Sequence, residues 1–211
     1  MQGPVITTVP PKNSVTRDFA VDRAKAYKIV LSGPDAPWRE RVPFLLGNSE
    51  FHCVAAYRFG QYAAELRVRK PGWGALAIIL HRVINRWITH VDHAEINNRA
   101  QIGPGLLLMH RYGVIIGPVT IGKNCVIHQG VTIGQRVAGG DQGVPKIGDN
   151  VWIGPGAIIT GAISVGDGAT ISAGTVLSKD VPPGCLVAGN PGRVVARDYD
   201  NRKMINFTSP A

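Results

Sequence analysis

The sequence predicts a mainly β fold, a parallel β-helix of hexapeptide repeats carrying an N-terminal α-helical arm, and three observations carry that prediction. First, residues 147–182 read as six consecutive hexads, IGDNVW, IGPGAI, ITGAIS, VGDGAT, ISAGTV and LSKDVP, each opened by an aliphatic residue: Ile147, Ile153, Ile159, Val165, Ile171 and Leu177. A period of six fits neither the roughly 3.6 residues of a helix nor the two-residue alternation of a long strand. It fits a chain that runs one short strand, turns a corner and repeats, so that three sides close a coil and stacked coils bury the aliphatic column. Second, the fifth residue of each hexad is small or β-branched (Val151, Ala157, Ile163, Ala169, Thr175, Val181), and 26 glycines suit tight corners. Third, residues 16–91 show helical spacing instead of the six-residue period.

Taken in order, residues 1–91 form a tail and a helical arm. The first fifteen residues hold three prolines and little apolar pattern, and read as a tail. Ala20, Ala24, Tyr27 and Leu31 predict a helix over 16–31, ended by Ser32, Gly33 and Pro34. A short helix follows over 38–46. Ser49 is placed to cap the next helix, whose apolar stripe is Phe51, Ala55, Phe59, Tyr62 and Leu66, and which stops at Pro71-Gly72. The last helix of the arm, over 73–91, has a stripe of Trp73, Leu76, Leu80, Val83 and Trp87 and a basic face of His81, Arg82, Asn85 and Arg86. Such a helix suits an anionic membrane surface; packing on the β-helix or on a sister subunit is the favoured reading.

The β-helix occupies 92–197. Ile102, Leu108 and Val114 are spaced by six, the phase slips by one, and Ile115, Ile121, Ile127 and Ile133 continue. The gap to Ile147 marks an inserted polar, glycine-rich loop over about 135–146, where function is expected. Residues 198–211 read as a C-terminal tail.

The chain carries a net charge of +9, of which residues 1–90 hold +7 and residues 91–211 hold +2. A basic protein suits an anionic partner. No helix-turn-helix, zinc finger or aromatic RNA-binding strand accompanies the charge, so nucleic acid is not expected. Cys53, Cys125 and Cys185 lack metal-ligand spacing and suit a reducing compartment. With no visible secretory leader and no apolar run long enough to cross a bilayer, a cytoplasmic location is expected.

His110, beside the phase slip, is one of few groups able to accept a proton near neutral pH. Glu95 lies fifteen residues earlier, close to one coil away, where a carboxylate fixes an imidazole's tautomer. Read from the residues alone, His110 is either such a base or a structural histidine. His93, His110 and His128 raise a catalytic zinc site, but the slip puts His110 and His128 at different hexad positions, and no metal is expected. No Ser, Cys or Lys stands out as an enzyme nucleophile.

The segments EINNRAQIGPGLLLMH, GVIIGPVTIGKNCVIHQGVTIG, PKIGDNVWIGPGAIITG and KDVPPGCLVAGNPGRVV, in this order and spacing, resemble the serine acetyltransferase family of hexapeptide-repeat acyltransferases over about residues 75–197. The resemblance implies a left-handed β-helix, a homotrimer with active sites between subunits, and acetyl transfer from acetyl-CoA to a hydroxyl. It places the catalytic histidine on His110 and its carboxylate partner on Glu95. His110 then takes the acceptor's proton and returns it to the departing thiol, while backbone N–H groups hold the oxyanion. It places the acetyl-CoA groove along Gly134, Pro155, Gly156, Ala173 and Gly174, with Lys179 and Arg193 toward the phosphates.

The acceptor pocket departs from the family pattern. A serine-binding aspartate is replaced by Met109, and an Arg-His pair in the inserted loop by Gly143 and Val144. With Arg111 and His128 these residues make up the expected acceptor pocket. The substitutions point to a sugar or other small hydroxylated metabolite. The alternative is a true serine O-acetyltransferase of cysteine biosynthesis with a rebuilt pocket, in which Arg111 or Arg136 binds the carboxylate. A zinc-dependent enzyme and a non-catalytic trimeric module are further readings, separable by metal analysis and by acetyl-CoA consumption.

Overall fold

The computed structural model describes residues 14–137 and 143–206; the start of the predicted N-terminal tail, the middle of the inserted loop and the last five residues lie outside them. The arm consists of α1 (Ser14–Val30), α2 (Trp38–Gly47), α3 (Ser49–Arg69) and α4 (Pro71–Asp92). Short strands then wind around three faces. The first face stacks β1 (Glu95–Ile96), β4 (Ile115–Ile116), β7 (Thr132–Gly134), β10 (Ile158–Thr160) and β13 (Val176–Leu177). The second stacks β2 (Gln101–Ile102), β5 (Thr120–Ile121), β8 (Lys146–Ile147) and β11 (Ser164–Val165). The third stacks β3 (Leu107–Met109), β6 (Val126–His128), β9 (Trp152–Ile153), β12 (Thr170–Ile171) and β14 (Leu186–Ala188), all parallel, and closes with β15 (Arg193–Ala196), antiparallel to β14.

The register explains why the hexads fold this way. Ile96, Ile116, Ile133, Ile159 and Leu177 lie directly above one another on the first face. Leu108, Ile127, Ile153, Ile171 and Val187 do so on the third. All are buried; of the residues flanking them on the third face, Leu107 and Val126 are buried in a second cluster with the arm. The predicted phase slip is resolved differently from the expectation. Ile115 faces outward, half-exposed, and Ile116 takes the core position. Leu108 to Ile116 therefore spans eight residues, where Ile127 to Ile133 and Ile153 to Ile159 span six. The coil is widened at this one corner, and His110 stands on it.

The arm is pinned to the first coil by a buried polar knot. Arg58 donates to Asp22 at 2.7 Å and to the carbonyls of Ile102 (2.8 Å) and Gly103 (2.7 Å), while Asp22 accepts from the N–H groups of Gly105 (2.7 Å) and Leu106 (2.9 Å). Lys25 donates to Asn124 Oδ1 at 2.6 Å, and burial pulls its ammonium down to about 8. Burial pushes the Asp22 carboxyl up, and the Arg58 guanidinium works against that shift.

Several helix expectations are corrected here. The cap of α3 is Asn48, whose side chain accepts from Phe51 N at 2.8 Å, rather than Ser49, which already lies inside the helix. The face α3 buries is Val54, Tyr57, Arg58 and Ala63; of the predicted stripe only Phe51 is buried. His81 is not part of a solvated basic face. It is buried between α3 and α4, where a Cβ on Gly60 would stand 2.6 Å from its Nε2, so only glycine lets the helices close. The apolar stripe of α4, by contrast, faces solvent in the single chain: Trp73 is 69% and Trp87 66% exposed. It does not pack on this chain's own β-helix.

The predicted C-terminal tail is docked over its first part. Asn201 donates to the carbonyls of Asn150 (2.9 Å) and Gly168 (3.1 Å), and α5 (Arg202–Asn206) buries Ile205 against Tyr27 and Phe44 of the arm. No helix among the described residues is long and apolar enough to cross a membrane.

Candidate active site

The corner between the third and first faces collects most of the predicted site. His110 follows β3 with a positive φ of 54°, a conformation few non-glycine residues adopt, and is exposed. Glu95 opens β1 at the same corner, one coil away. It pairs with Ile115, and its N–H donates to the Val114 carbonyl at 2.8 Å, so backbone pairing fixes its place against the His110 turn. The corner is closed by His93 and Tyr112, whose rings meet edge to face at 5.4 Å.

From His110 the same corner runs down the solenoid as a ladder. Gly130 N donates to the Tyr112 carbonyl, Gly156 N to that of Gln129, and Gly174 N to that of Pro155, each at 2.8 Å. Gly113, Gly130, Gly156 and Gly174 stack with φ between 66° and 69°. Beside Gly156 and Gly174 nothing lies within 4 Å of where a side chain would begin, so the column is a strip of bare backbone. Pro155, Gly156, Ala173 and Gly174 belong to this strip. Arg193, exposed at the start of β15, is at its foot, where Val176 N donates to the Gly189 carbonyl at 3.1 Å. An extended acyl carrier arm with a phosphate end fits such a strip, because backbone groups remain reachable and a cation stands at one end.

Gly134, Arg136, Lys179, Gly143 and Val144 are elsewhere, at the corner between the first and second faces. Arg136 donates to the Ser178 carbonyl at 3.4 Å, away from the His110 corner. A Cβ on Gly143 would stand 2.8 Å from that of Ala162, and Val144 packs on the solenoid core. The first face separates the two corners by some five residues, or about 15 Å. Within one chain, therefore, Gly143 and Val144 lie one face away from His110.

Met109 points from β3 toward the arm and pairs with His128 of β6, which rests against the Trp152 ring at 4.8 Å. His128 and His110 do not stack. Burial holds His128 below the ordinary histidine range and the nearby His110 adds to this, so it stays neutral near pH 7; its Nε2 is buried with no hydrogen-bond partner. Among the described residues no three His, Cys, Asp or Glu side chains are grouped to hold a metal ion.

Sequence reasoning missed one part of the site. A cavity of about 180 Å³ opens between the arm and the first coil, lined by Ala26 and Val30 of α1, Glu50 and Phe51 of α3, and Met109 and His110. Glu50 and Arg111 form an ion pair at its edge, 3.7 Å apart. The only sequence signal for Glu50 is an acidic residue in the first turn of a helix, which suits the dipole and hides any other role.

Coil, corner and column together define a hexapeptide-repeat β-helix of the transferase type. Residues 145–179 match the family model for bacterial transferase hexapeptide (six repeats), and residues 113–137 that for the hexapeptide repeat of succinyl-transferase. Serine acetyltransferase of Escherichia coli K12 is 36% identical over 191 residues, 90% of this chain and 60% of that protein. The crystal structure of Neisseria gonorrhoeae serine acetyltransferase in complex with serine superposes with a TM-score of 0.69 at 30% identity, over 88% of this chain and 70% of that one. That of Brucella abortus strain S19 serine acetyltransferase in complex with coenzyme A gives 0.68 at 28%, over 86% and 68%. The chain belongs to the serine acetyltransferase family, and its solenoid is the left-handed parallel β-helix. It spans 60% of the length of the Escherichia coli relative.

Proposed function

We propose that the chain is an acetyl-CoA-dependent O-acetyltransferase whose acceptor is the hydroxyl of L-serine, held in a rebuilt pocket beside His110. The observation that carries this reading is the position of His110, a left-handed-region histidine on a widened corner, with Glu95 one coil away and a bare backbone strip leading from it. The Neisseria relative with serine and the Brucella relative with coenzyme A favour serine over a sugar. His110 accepts the proton of the acceptor hydroxyl and returns it to the departing thiol. Glu95 is a positioning residue that holds the imidazole's tautomer. Bound acetyl-CoA supplies the activated acetyl group. Pro155, Gly156, Ala173 and Gly174 take its arm through backbone groups and Arg193 its phosphates, with Gly134 and Lys179 contributing from the other edge of the first face.

The same reading makes the protein a homotrimer with sites between subunits. Two features support it: the loop-side residues stand one face away from His110 in their own chain, and the apolar stripe of α4 is left uncovered by the described residues. A second reading, an acceptor bulkier than serine such as a sugar or a larger hydroxylated metabolite, is favoured by Met109 and His128 beside His110. The deciding experiment compares kcat/KM for L-serine with that for a panel of sugars and hydroxylated metabolites. L-serine is expected to lead, at about 10⁴ M⁻¹s⁻¹ or more. A sugar ahead of it by tenfold or more, on the order of a single well-placed contact, overturns the serine assignment.

A further inference from the structure

We infer that Glu50 and Arg111 are the specificity-determining pair of the acceptor site, Glu50 receiving the α-ammonium and Arg111 the carboxylate of an amino-acid acceptor. The inference rests on the acetyltransferase reading above and deepens it, because neither residue is a catalytic base or a part of the acetyl-CoA strip.

Four observations converge. The cavity beside His110 is lined mostly by apolar side chains, Ala26, Val30, Phe51 and Met109 among them, with Asp22 and Asn48 also in its wall, so a charged acceptor entering it needs opposite charges close by. Glu50 lines that cavity together with His110. Arg111 directly follows His110 on the widened corner, and its Nη1 stands 3.7 Å from Glu50 Oε1. At 3.7 Å this is a loose ion pair rather than a close hydrogen bond, and the two side chains are 27% and 21% exposed, open enough for a ligand to part them. A zwitterion presents the matching pair of opposite charges a few ångströms apart. Inserting it lets Glu50 meet the ammonium and Arg111 the carboxylate, two charge-assisted contacts where the two side chains now face each other loosely. A neutral sugar has nothing to exchange and leaves the pair closed. Arg111 takes over the clamp that Gly143 and Val144 cannot form, and Glu50 the carboxylate absent at Met109. The asymmetry also orients the acceptor: with both ends of the zwitterion fixed, the side-chain hydroxyl is the end left to face His110.

The test uses Glu50→Gln and Arg111→Gln in the full-length chain with three acceptors: L-serine, ethanolamine, which lacks the carboxylate, and 3-hydroxypropionate, which lacks the amine. Glu50→Gln is expected to raise KM for L-serine and ethanolamine by about ten- to a hundredfold and to leave 3-hydroxypropionate unchanged or better. Arg111→Gln is expected to do the same for L-serine and 3-hydroxypropionate and to spare ethanolamine. KM for acetyl-CoA stays put in both. A KM that rises alike for all three acceptors marks a structural role and overturns the inference, as does an unchanged KM for L-serine. Failure of the wild type to acetylate L-serine at all overturns the proposed function itself, an outcome visible before either variant is made.

Discussion

The solenoid and the arm use the same apolar side chains to opposite ends. In the solenoid Ile127, Ile153 and Ile171 are wholly buried, each covered by the residue one coil away. In the arm, Leu76, Leu80, Val83 and Trp87 of α4 form as regular a stripe and are more than half exposed. A coil supplies its own partner, because the repeat that makes one aliphatic position makes the next above it. A helix stripe states only that something must cover it, and in α4 that something is not among the described residues. The catalytic candidates follow this division. His110 and Glu95 sit on the self-sufficient part, and the cavity proposed for the acceptor lies where the arm meets it.

The largest expected effect separates the chemistry from both regions. His110→Ala lowers acetyl transfer by about two to four orders of magnitude, with the unfolding midpoint of the protein unmoved; near-wild-type turnover removes His110 from the mechanism. Glu95→Gln costs less, since the shape is kept and only the charge goes.

The comparison itself breaks or holds on a pair of truncations. Ile153→Ala leaves a cavity in a closed core and costs about 2–5 kcal/mol in denaturant unfolding. Leu80→Ala costs the separated chain within about 0.5 kcal/mol and instead weakens self-association in sedimentation. Equal losses of stability at both sites would mean that α4 is covered within its own chain.

A smaller effect sharpens the role of the glycine column. Ala173→Phe puts bulk on the bare strip and raises KM for acetyl-CoA by about five- to a hundredfold, the range for overfilling a fitted space, while KM for the acceptor is unchanged. A KM that moves for both substrates places the strip closer to the acceptor than its distance down the corner from His110 suggests.

The smallest effect concerns the α3–α4 contact. Burial, and then Arg82, hold His81 below its ordinary value of 6.5, against a backbone hydrogen bond with Ala56. The folded state thus keeps His81 neutral where the unfolded chain takes up a proton. Stability is full above about 6.5 and is lost as pH falls through the lower folded value, at no more than about 1.4 kcal/mol per pH unit for one proton. Unfolding measured between pH 7.5 and 5 should show a smaller acid loss in His81→Leu than in wild type.

What the sequence determined by itself was whatever repeats or lies one coil apart. The hexads specify the inward columns, the insertion falls at one corner, and the fifteen-residue spacing of Glu95 and His110 brings both to another. These relations are local in a solenoid, since the neighbour above is always about one coil further along the chain. Even here the slip was legible only as a slip. That Ile116 and not Ile115 turns inward depends on how two extra residues are taken up at the His110 corner, which packing decides. In the arm the 3.6-residue period located the helices but not the buried side of α3, because that side is chosen by the first coil through Tyr57, Arg58 and Asp22. Gly143 and Val144 lie one face away from His110 in their own chain, a separation set by the winding of the solenoid and not by distance along the sequence. Glu50 could not be read at all. Its meaning arises where the first turn of α3 meets the widened corner, and a charge gains a partner only when the fold brings two distant segments within a few ångströms.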